Sequence, residues 1–346
     1  MRGRSLPFQE MRRRTRVTIA IVVVVLLLLA GAVYLRKKAP PEAARLLPES
    51  DGIVYINLRP LRAATRFDQH PVRHDADYQH FIDETGIEAE RDLDEVAFAL
   101  HRMPDPNGPN GPVAFSEVFV GHFDGRRLSR YLAGVAASTE TYAGHEIYRI
   151  PSEGRTVRVT LLGYDMVAVS NTPSEEQIHS ILDRYRTAAM PFTGSSLLAE
   201  HYSDVPLLSL AWGVGQIGLP LSDPAGGLQV MGMSLPLTLD ATFIASLSWT
   251  GKTRLRVEEI APNEAAATAS ADSIESILSL IRAAQVAAPT GTADHETRAL
   301  LDSTQIEHHN NRVVLTATIP IALLQRLVSA PVNFENTPAN STQGKK

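Results

Sequence analysis

The sequence predicts an α+β protein in which an N-terminal transmembrane helix precedes antiparallel sheets with helices packed on one face. Three observations support this prediction: one long uncharged apolar run, many short segments in which apolar and polar residues alternate, and helix-forming segments between them. Alternation leaves one face of a strand polar. That pattern is typical of antiparallel sheets covered on one side and disfavours a doubly wound parallel fold.

The composition excludes several classes of protein. Of the 346 residues, 44% are hydrophobic and 21% are charged, the formal net charge is −5, and there is no cysteine. These proportions are those of a globular protein and exclude collagen-like, wholly disordered and multi-span membrane chains. The absence of cysteine excludes disulfides, thiolate metal sites and cysteine nucleophiles.

The uncharged run covers residues 17–35 and predicts a single transmembrane helix. Nineteen helical residues span about 28 Å, close to the thickness of a hydrocarbon core of about 30 Å. Six arginines precede the run and three cations follow it. The positive-inside rule therefore places residues 1–16, a basic tail, in the cytoplasm, and the bulk of the chain in the periplasm or outside. The cytoplasmic (inner) membrane is thus the first expected partner.

A cleaved signal peptide is the alternative to a retained anchor. Ala30, Gly31 and Ala32 match the small-x-small pattern of a cleavage site, and cleavage near Ala32 would secrete the protein to the periplasm. The apolar run continues beyond that site through Leu35, where a signal peptide usually becomes polar. This continuation favours the anchor.

The charge distribution argues against nucleic acid as a partner. Residues 1–38 hold nine of the 33 cations and one of the 38 anions, which leaves the remainder with a net charge of −13. Nucleic-acid binding requires a basic surface, and no basic cluster follows residue 38. Residues 36–48, which contain Pro40 and Pro41, are predicted to be a linker.

Residues 49–190 are predicted to form a first α+β lobe. Apolar alternation and β-branched residues predict its strands, Asp124 is a good N-cap for one helix, and Thr172–Glu175 reads as a capping box for another. The predicted strands are at 53–58, 95–101, 115–123, 155–162 and 166–171, and a further helix is predicted at 77–86.

Residues 195–330 are predicted to form a second α+β lobe, and residues 331–346 a disordered tail. Both lobes end in strand, turn, strand and proline-opened helix, which indicates a divergent duplication. The predicted elements are strands at 205–212, 242–250 and 253–259, a helix at 263–286, a hairpin turning at Asn310-Asn311, and a helix after Pro320.

No motif predicts a cofactor, a metal or a catalytic residue. Gly213, Gly215 and Gly218 follow a strand like a dinucleotide fingerprint, but prolines and glycines interrupt the helix that the fingerprint requires, so these glycines are interpreted as a loose, flexible connection. His295-Glu296 begins like a zincin helix, yet position 299 is alanine. His70, His74 and His80 match no recurrent metal-binding spacing and are interpreted as a surface loop.

The segment 213–236 is the candidate interaction surface. It combines six glycines with many large apolar residues and a single charge, Asp223. Such a segment either packs between lobes or exposes an apolar surface to a protein partner, an apolar ligand or the bilayer. The candidate residues are Ile217, Leu219, Leu221, Leu228, Met231 and Met233.

Several segments resemble a group of acidobacterial-type single-pass envelope proteins with a large extracytoplasmic domain of unknown function. The resemblance lies in LLPESDGIVYINLRPLRAA at 46–64, DLDEVAFAL, FDGRRLSRYL, YAGHEIYRIP and YDMVAVSN, and it covers most of residues 46–186. It implies a single-pass topology and duplicated α+β lobes, and it implies no catalytic residues.

The leading functional hypothesis is therefore a membrane-anchored extracytoplasmic protein that is not an enzyme and that binds an envelope protein or an apolar ligand. The alternative is an envelope hydrolase with a dispersed active site, because catalytic carboxylates need not lie near one another in sequence.

Overall fold

The structure is a computed structural model of the chain. It describes residues 39–69, 74–187, 194–216, 228–230, 233–235, 241–249, 251–287, 292–323 and 325.

Twelve strands of the described residues form one sheet in which every neighbouring pair is antiparallel. Two further strands form a separate hairpin. In chain order the strands are β1 (Gly52–Asn57), β2 (Leu93–Arg102), β3 (Val113–Gly121), β4 (Ser138–Tyr142), β5 (His145–Ser152), β6 (Arg155–Leu162), β7 (Met166–Ser170), β8 (Ser209–Gln216), β9 (Leu228–Val230), β10 (Met233–Leu235), β11 (Thr242–Trp249), β12 (Thr253–Ile260), β13 (Gln305–His309) and β14 (Arg312–Ile319). The order across the large sheet is β13-β14-β12-β11-β8-β1-β2-β3-β7-β6-β5-β4.

Nine α-helices accompany these strands in the described part of the chain. They are α1 (Glu42–Leu46), α2 (Leu58–Thr65), α3 (Ala76–Thr85), α4 (Ala89–Asp92), α5 (Gly125–Val135), α6 (Glu176–Arg186), α7 (Ser196–His201), α8 (Glu264–Ala287) and α9 (Thr292–Asp302). The α+β class with a large antiparallel sheet is thus confirmed.

One face of the sheet, here called the closed face, is covered at its centre by α1, α6 and α7. The small residues Ala97, Ala99 and Ala168 have no exposed surface, so the helices approach the strands closely. Ile178, Ile181 and Leu182 of α6 are equally buried. This cluster is the main hydrophobic core.

The opposite face, here called the divided face, carries helices at its two ends. Phe81 of α3 and Leu128 and Leu132 of α5 pack over β5–β7, and the alanines of α8 pack over β13 and β14. The expectation that helices cover only one face is therefore wrong. Both faces of the strands carry apolar residues, and helices cover part of each face.

The two halves of the sheet share a strand order. Outward from the centre, the first half runs β1-β2-β3-β7-β6-β5-β4 and the second runs β8-β11-β12-β14-β13, so the first five strands of each half follow the same pattern. The halves meet where β1 pairs with β8, and there the rings of Tyr55 and Trp212 stack with centroids 5.5 Å apart. The strands of the two predicted lobes therefore form one continuous sheet, and the lobe boundaries themselves stay a prediction.

Several predicted elements match the structure closely. β6 has the predicted bounds, α8 begins and ends within one residue of the prediction, and the last hairpin turns at Asn310-Asn311 as expected. Asp124 caps α5 by accepting hydrogen bonds from the backbone N–H groups of Arg126 and Arg127, both at 3.1 Å.

Other predicted elements differ. α6 begins at Glu176 without a side-chain cap, because Thr172 bonds to Ser170 and to the Ser174 carbonyl instead of capping the helix. β8 begins at Ser209, four residues later than predicted, and it includes the glycines that were interpreted as a loose connection. The predicted elements do not include β4, β5, β9, β10, α1, α4, α7 and α9.

The predicted anchor at 17–35, the basic tail at 1–16 and the tail at 331–346 lie outside the described residues. Among the helices that are described, none has the length and apolarity needed to cross a bilayer.

Candidate ligand-binding surface

The sequence-predicted surface at 213–236 is only partly described. Ile217, Leu219, Leu221 and Met231 lie outside the described residues. Leu228 begins β9 and Met233 begins β10, and the backbones of these strands pair with each other, with Leu228 opposite Leu235. The structure therefore places two of the six candidate residues in one hairpin.

A different apolar surface lies on the divided face, between its two groups of helices. Directly paired residues of antiparallel strands share a face, so the pairing register identifies its members. These residues, here called the apolar band, are Val54, Ile56, Val96, Phe98, Leu100, Phe115, Phe119, Ala211, Gly213, Gly215, Phe243, Ala245 and Leu247.

Most of the apolar band is half-buried. Phe98 and Phe119 contact each other edge to face, with ring centroids 6.4 Å apart, and each keeps part of its surface accessible. Neither belongs to the helix-covered clusters at the two ends of this face. The band is thus an apolar strip, about five strands wide, in which most of the large side chains keep part of their surface accessible.

The strip has a furrow along β8. β8 contributes only Ala211, Gly213 and Gly215 to this face, whereas the neighbouring strands contribute larger side chains such as Val54 and Phe243. A Cβ atom added at Gly213 would lie 3.5 Å from the nearest atoms, at ordinary contact distance. The furrow is therefore a shallow line of small residues along a well-formed strand, with room for a Cβ atom at Gly213.

Glu117 is the one charged residue within the strip. It pairs with Phe98 on one side and with Val169 on the other, and Phe115 and Phe119 flank it along β3. No side chain or backbone group of the described residues forms a hydrogen bond or ion pair with its carboxyl group. Burial among these apolar groups raises the pKa of Glu117 to about 7.

A second carboxyl group, that of Asp94 near the start of β2, is paired with cationic side chains. Asp94 accepts a hydrogen bond from Arg59 Nη2 at 2.7 Å, and Arg62 Nη1 and His122 Nδ1 lie 3.5 Å from its carboxylate. The hydrogen bond from Arg59 lowers the pKa of Asp94 against the opposing effect of burial. Arg62 also donates to the carbonyl oxygens of Glu90 and Leu93. These contacts fasten α2 to the sheet.

The closed face contains a histidine–serine pair of the kind that a hydrolase uses. His101 Nε2 lies 2.9 Å from Ser116 Oγ, and the hydroxyl chain continues from Ser116 to Ser170 at 3.2 Å and from Ser170 to Thr172 at 2.8 Å. Ser116 and Ser170 have no exposed surface. A nucleophile needs contact with its substrate, so this geometry is that of a structural polar network.

The histidines considered for metal binding do not converge. His74 bonds to Glu90 at 3.2 Å, whereas His80 contacts the ring of Tyr131 and His70 lies outside the described residues. His295 lies in α9. No group of three metal-ligating side chains occurs in the part of the chain that the structure describes.

The fold and this strip define the class: an α+β protein with an accessible apolar sheet face that carries one carboxyl group. No family model and no curated protein matches the chain. Among solved structures, crystal form III of TP0453 is similar, with a TM-score of 0.47 and 14% identity over 84% of this chain and 98% of that chain. Crystal form IV gives a TM-score of 0.45 and 13% identity over 83% and 96%. Crystal form I gives 0.42 and 11% over 84% and 98%.

Sequence reasoning missed the apolar band. The sequence predicts its strands, but alternation predicts one polar face for each strand, and the band appears only once the register is known. The one available signal was that VAFSEVFVG carries large apolar residues on both sides of Glu117.

Proposed function

We propose that this chain is a membrane-anchored extracytoplasmic binding protein, and that the apolar band on its divided face holds an apolar ligand. The observation that supports binding is the accessible strip between two helix-covered clusters, since soluble proteins seldom leave a contiguous apolar surface without a use. The furrow along β8 gives this strip a shape that suits an extended chain.

The anchor and the cellular location belong to the same proposal. The uncharged run at 17–35 and its basic flanks support a single span with the N-terminus in the cytoplasm, and the likeness to acidobacterial-type envelope proteins supports the same topology. A reporter fused after Lys346 tests this. Activity of a periplasm-specific reporter is expected, and activity of a cytoplasm-specific reporter alone would overturn the orientation.

The ligand site is tested by photolabelling of the full-length chain in phosphatidylcholine nanodiscs. The probe is dodecanol that carries a diazirine near the end of its chain, and labelled peptides are identified by mass spectrometry. We expect labels on β1, β8 and β11, because these strands line the furrow.

Gly213→Val is the variant that fills the furrow. Its new Cβ meets only ordinary contacts, so the strand is expected to keep its fold. Overfilling a contact costs about 1–3 kcal/mol, so labelling affinity should fall about tenfold. Gly134→Ala in α5 is the matched control, because a Cβ there meets nothing within 4 Å. Equal labelling of both variants would show that the ligand does not bind along β8.

The hydrolase alternative has one candidate pair in the described residues, His101 and Ser116. The full burial of Ser116 supports a structural role for it. The binding-protein proposal is therefore the better supported one.

A further inference from the structure

Glu117 lies in a continuous row of paired residues that crosses the divided face. From Glu117 the row passes through Phe98 of β2 and Val54 of β1 to Gly213 of β8 and Ala245 of β11. Glu117 is therefore three strands from the furrow, which is about 14 Å at about 4.8 Å per strand. A dodecyl chain has about this reach.

The surroundings of Glu117 indicate which chemical group can pair with its carboxylate. Its four neighbours in the sheet are apolar, and it has no partner among the described residues, whereas the buried Glu258 of the closed face bonds to Arg256 and Arg312, both at 2.6 Å. A carboxyl group held in apolar surroundings without a partner is costly, and such groups are concentrated at functional sites. The partner that compensates a lone carboxylate is a cation that also donates hydrogen bonds.

We propose that the ligand of the apolar band is an apolar amine, whose ammonium group pairs with Glu117 and whose chain follows the row of paired residues to the furrow of β8. This inference rests on the proposed function and names the ligand class. Charge complementarity supports it, because one carboxylate stands within an otherwise uncharged strip. A carboxylic acid of the same length would place two acidic groups together and is disfavoured.

The test is competition against the diazirine probe at pH 7.5, with the full-length chain in phosphatidylcholine nanodiscs. The competitors are dodecylamine, dodecanol and dodecanoic acid, which differ only in the head group. We expect dodecylamine to displace the probe at a concentration at least about tenfold lower than dodecanol, as a charge-assisted hydrogen bond allows. Dodecanoic acid should be the weakest competitor.

The decisive variant is Glu117→Gln, which keeps the shape of the side chain and removes its charge. We expect the advantage of the amine over the alcohol to disappear, and an unchanged far-UV circular dichroism spectrum reports that the variant is folded. Glu153→Gln is the matched control, because Glu153 is exposed in the turn between β5 and β6. It should keep the full preference for the amine.

The outcomes separate the two proposals. If the probe labels the band but amine and alcohol compete equally, or if Glu117→Gln keeps the amine preference, the inference about Glu117 is wrong and the binding function stands. If neither the probe nor any competitor binds the band, the proposed function itself is wrong.

Discussion

Buried carboxyl groups on the two faces of the sheet differ in their hydrogen-bond partners and in the direction of their pKa shifts. On the closed face, Glu258 bonds to Arg256 and Arg312; burial opposes its ionisation, but these hydrogen bonds outweigh burial and lower its pKa. Its neighbour Glu259 points to the divided face, where Ser270 Oγ donates to it at 3.0 Å, and burial raises its pKa despite that bond. Glu117 on the same face has no partner in the described residues, and burial raises its pKa to about 7.

The closed face is also packed more completely than the divided face. Core residues of the closed face such as Ile53, Ala97 and Val118 have no exposed surface, whereas most large side chains of the apolar band remain half-buried. A face with complete packing and paired charges stabilises the fold. A face with accessible apolar groups and an uncompensated carboxyl group is suited to binding, because a ligand can supply the missing contacts.

The largest expected effect comes from neighbouring residues of β1 that point to opposite faces. Ile53 is fully buried on the closed face and Val54 is half-buried in the band. Ile53→Ala should lower the free energy of unfolding by about 2–4 kcal/mol through the cavity that it leaves. Val54→Ala should cost about 1 kcal/mol or less, because its site is already partly solvated.

Urea denaturation followed by the fluorescence of the buried Trp212 measures both free energies. Equal losses for Ile53→Ala and Val54→Ala would mean that the band is packed as tightly as the closed face. The distinction between the two faces would then be lost.

The second effect is the pH dependence that Glu117 confers. Its pKa is raised from 4.5 to about 7 in the folded protein, so the protonated form favours folding. Its stabilising contribution is complete below about pH 4.5 and is lost as the pH rises through about 7. With partial solvation of the side chain, we expect a loss of about 2 kcal/mol between pH 4.5 and pH 8.

Glu117→Gln should remove this part of the pH dependence and should make the protein more stable than wild type at pH 8. Glu153→Gln, at an exposed turn, should leave the pH profile unchanged. The idea fails if urea denaturation gives Glu117→Gln the same loss of stability with pH as wild type.

The order of strands was harder to predict than the strands themselves. Periodicity located β6, β11 and β12 within one residue, because alternation is a local property of the sequence. The pairing of β1 with β8 joins residues about 160 apart, and no local pattern specifies it. The apolar band depends on that pairing, so it could not be found before the register was known.

The failed predictions have local physical causes. Thr172 looked like an N-cap, but the neighbouring hydroxyl of Ser170 bonds to it, and α6 begins later. Gly213 and Gly215 looked like a loose connection, but β1 and β11 pair with both sides of their strand and hold them extended. Tertiary pairing thus overrode the preference of glycine for loops.

The smallest expected effects are the costs in stability of substitutions at the start of one helix on each face. α5 on the divided face depends on Asp124, which accepts from two backbone N–H groups, so Asp124→Ala should cost about 1 kcal/mol. α6 on the closed face begins without a side-chain cap and is held by Ile178, Ile181 and Leu182, which have no exposed surface. Ser174→Ala, at an exposed residue two positions before α6, should therefore change the free energy of unfolding by less than about 0.5 kcal/mol. Urea denaturation measures both variants, and a cost for Ser174→Ala as large as that for Asp124→Ala would show that packing alone does not hold α6 in place.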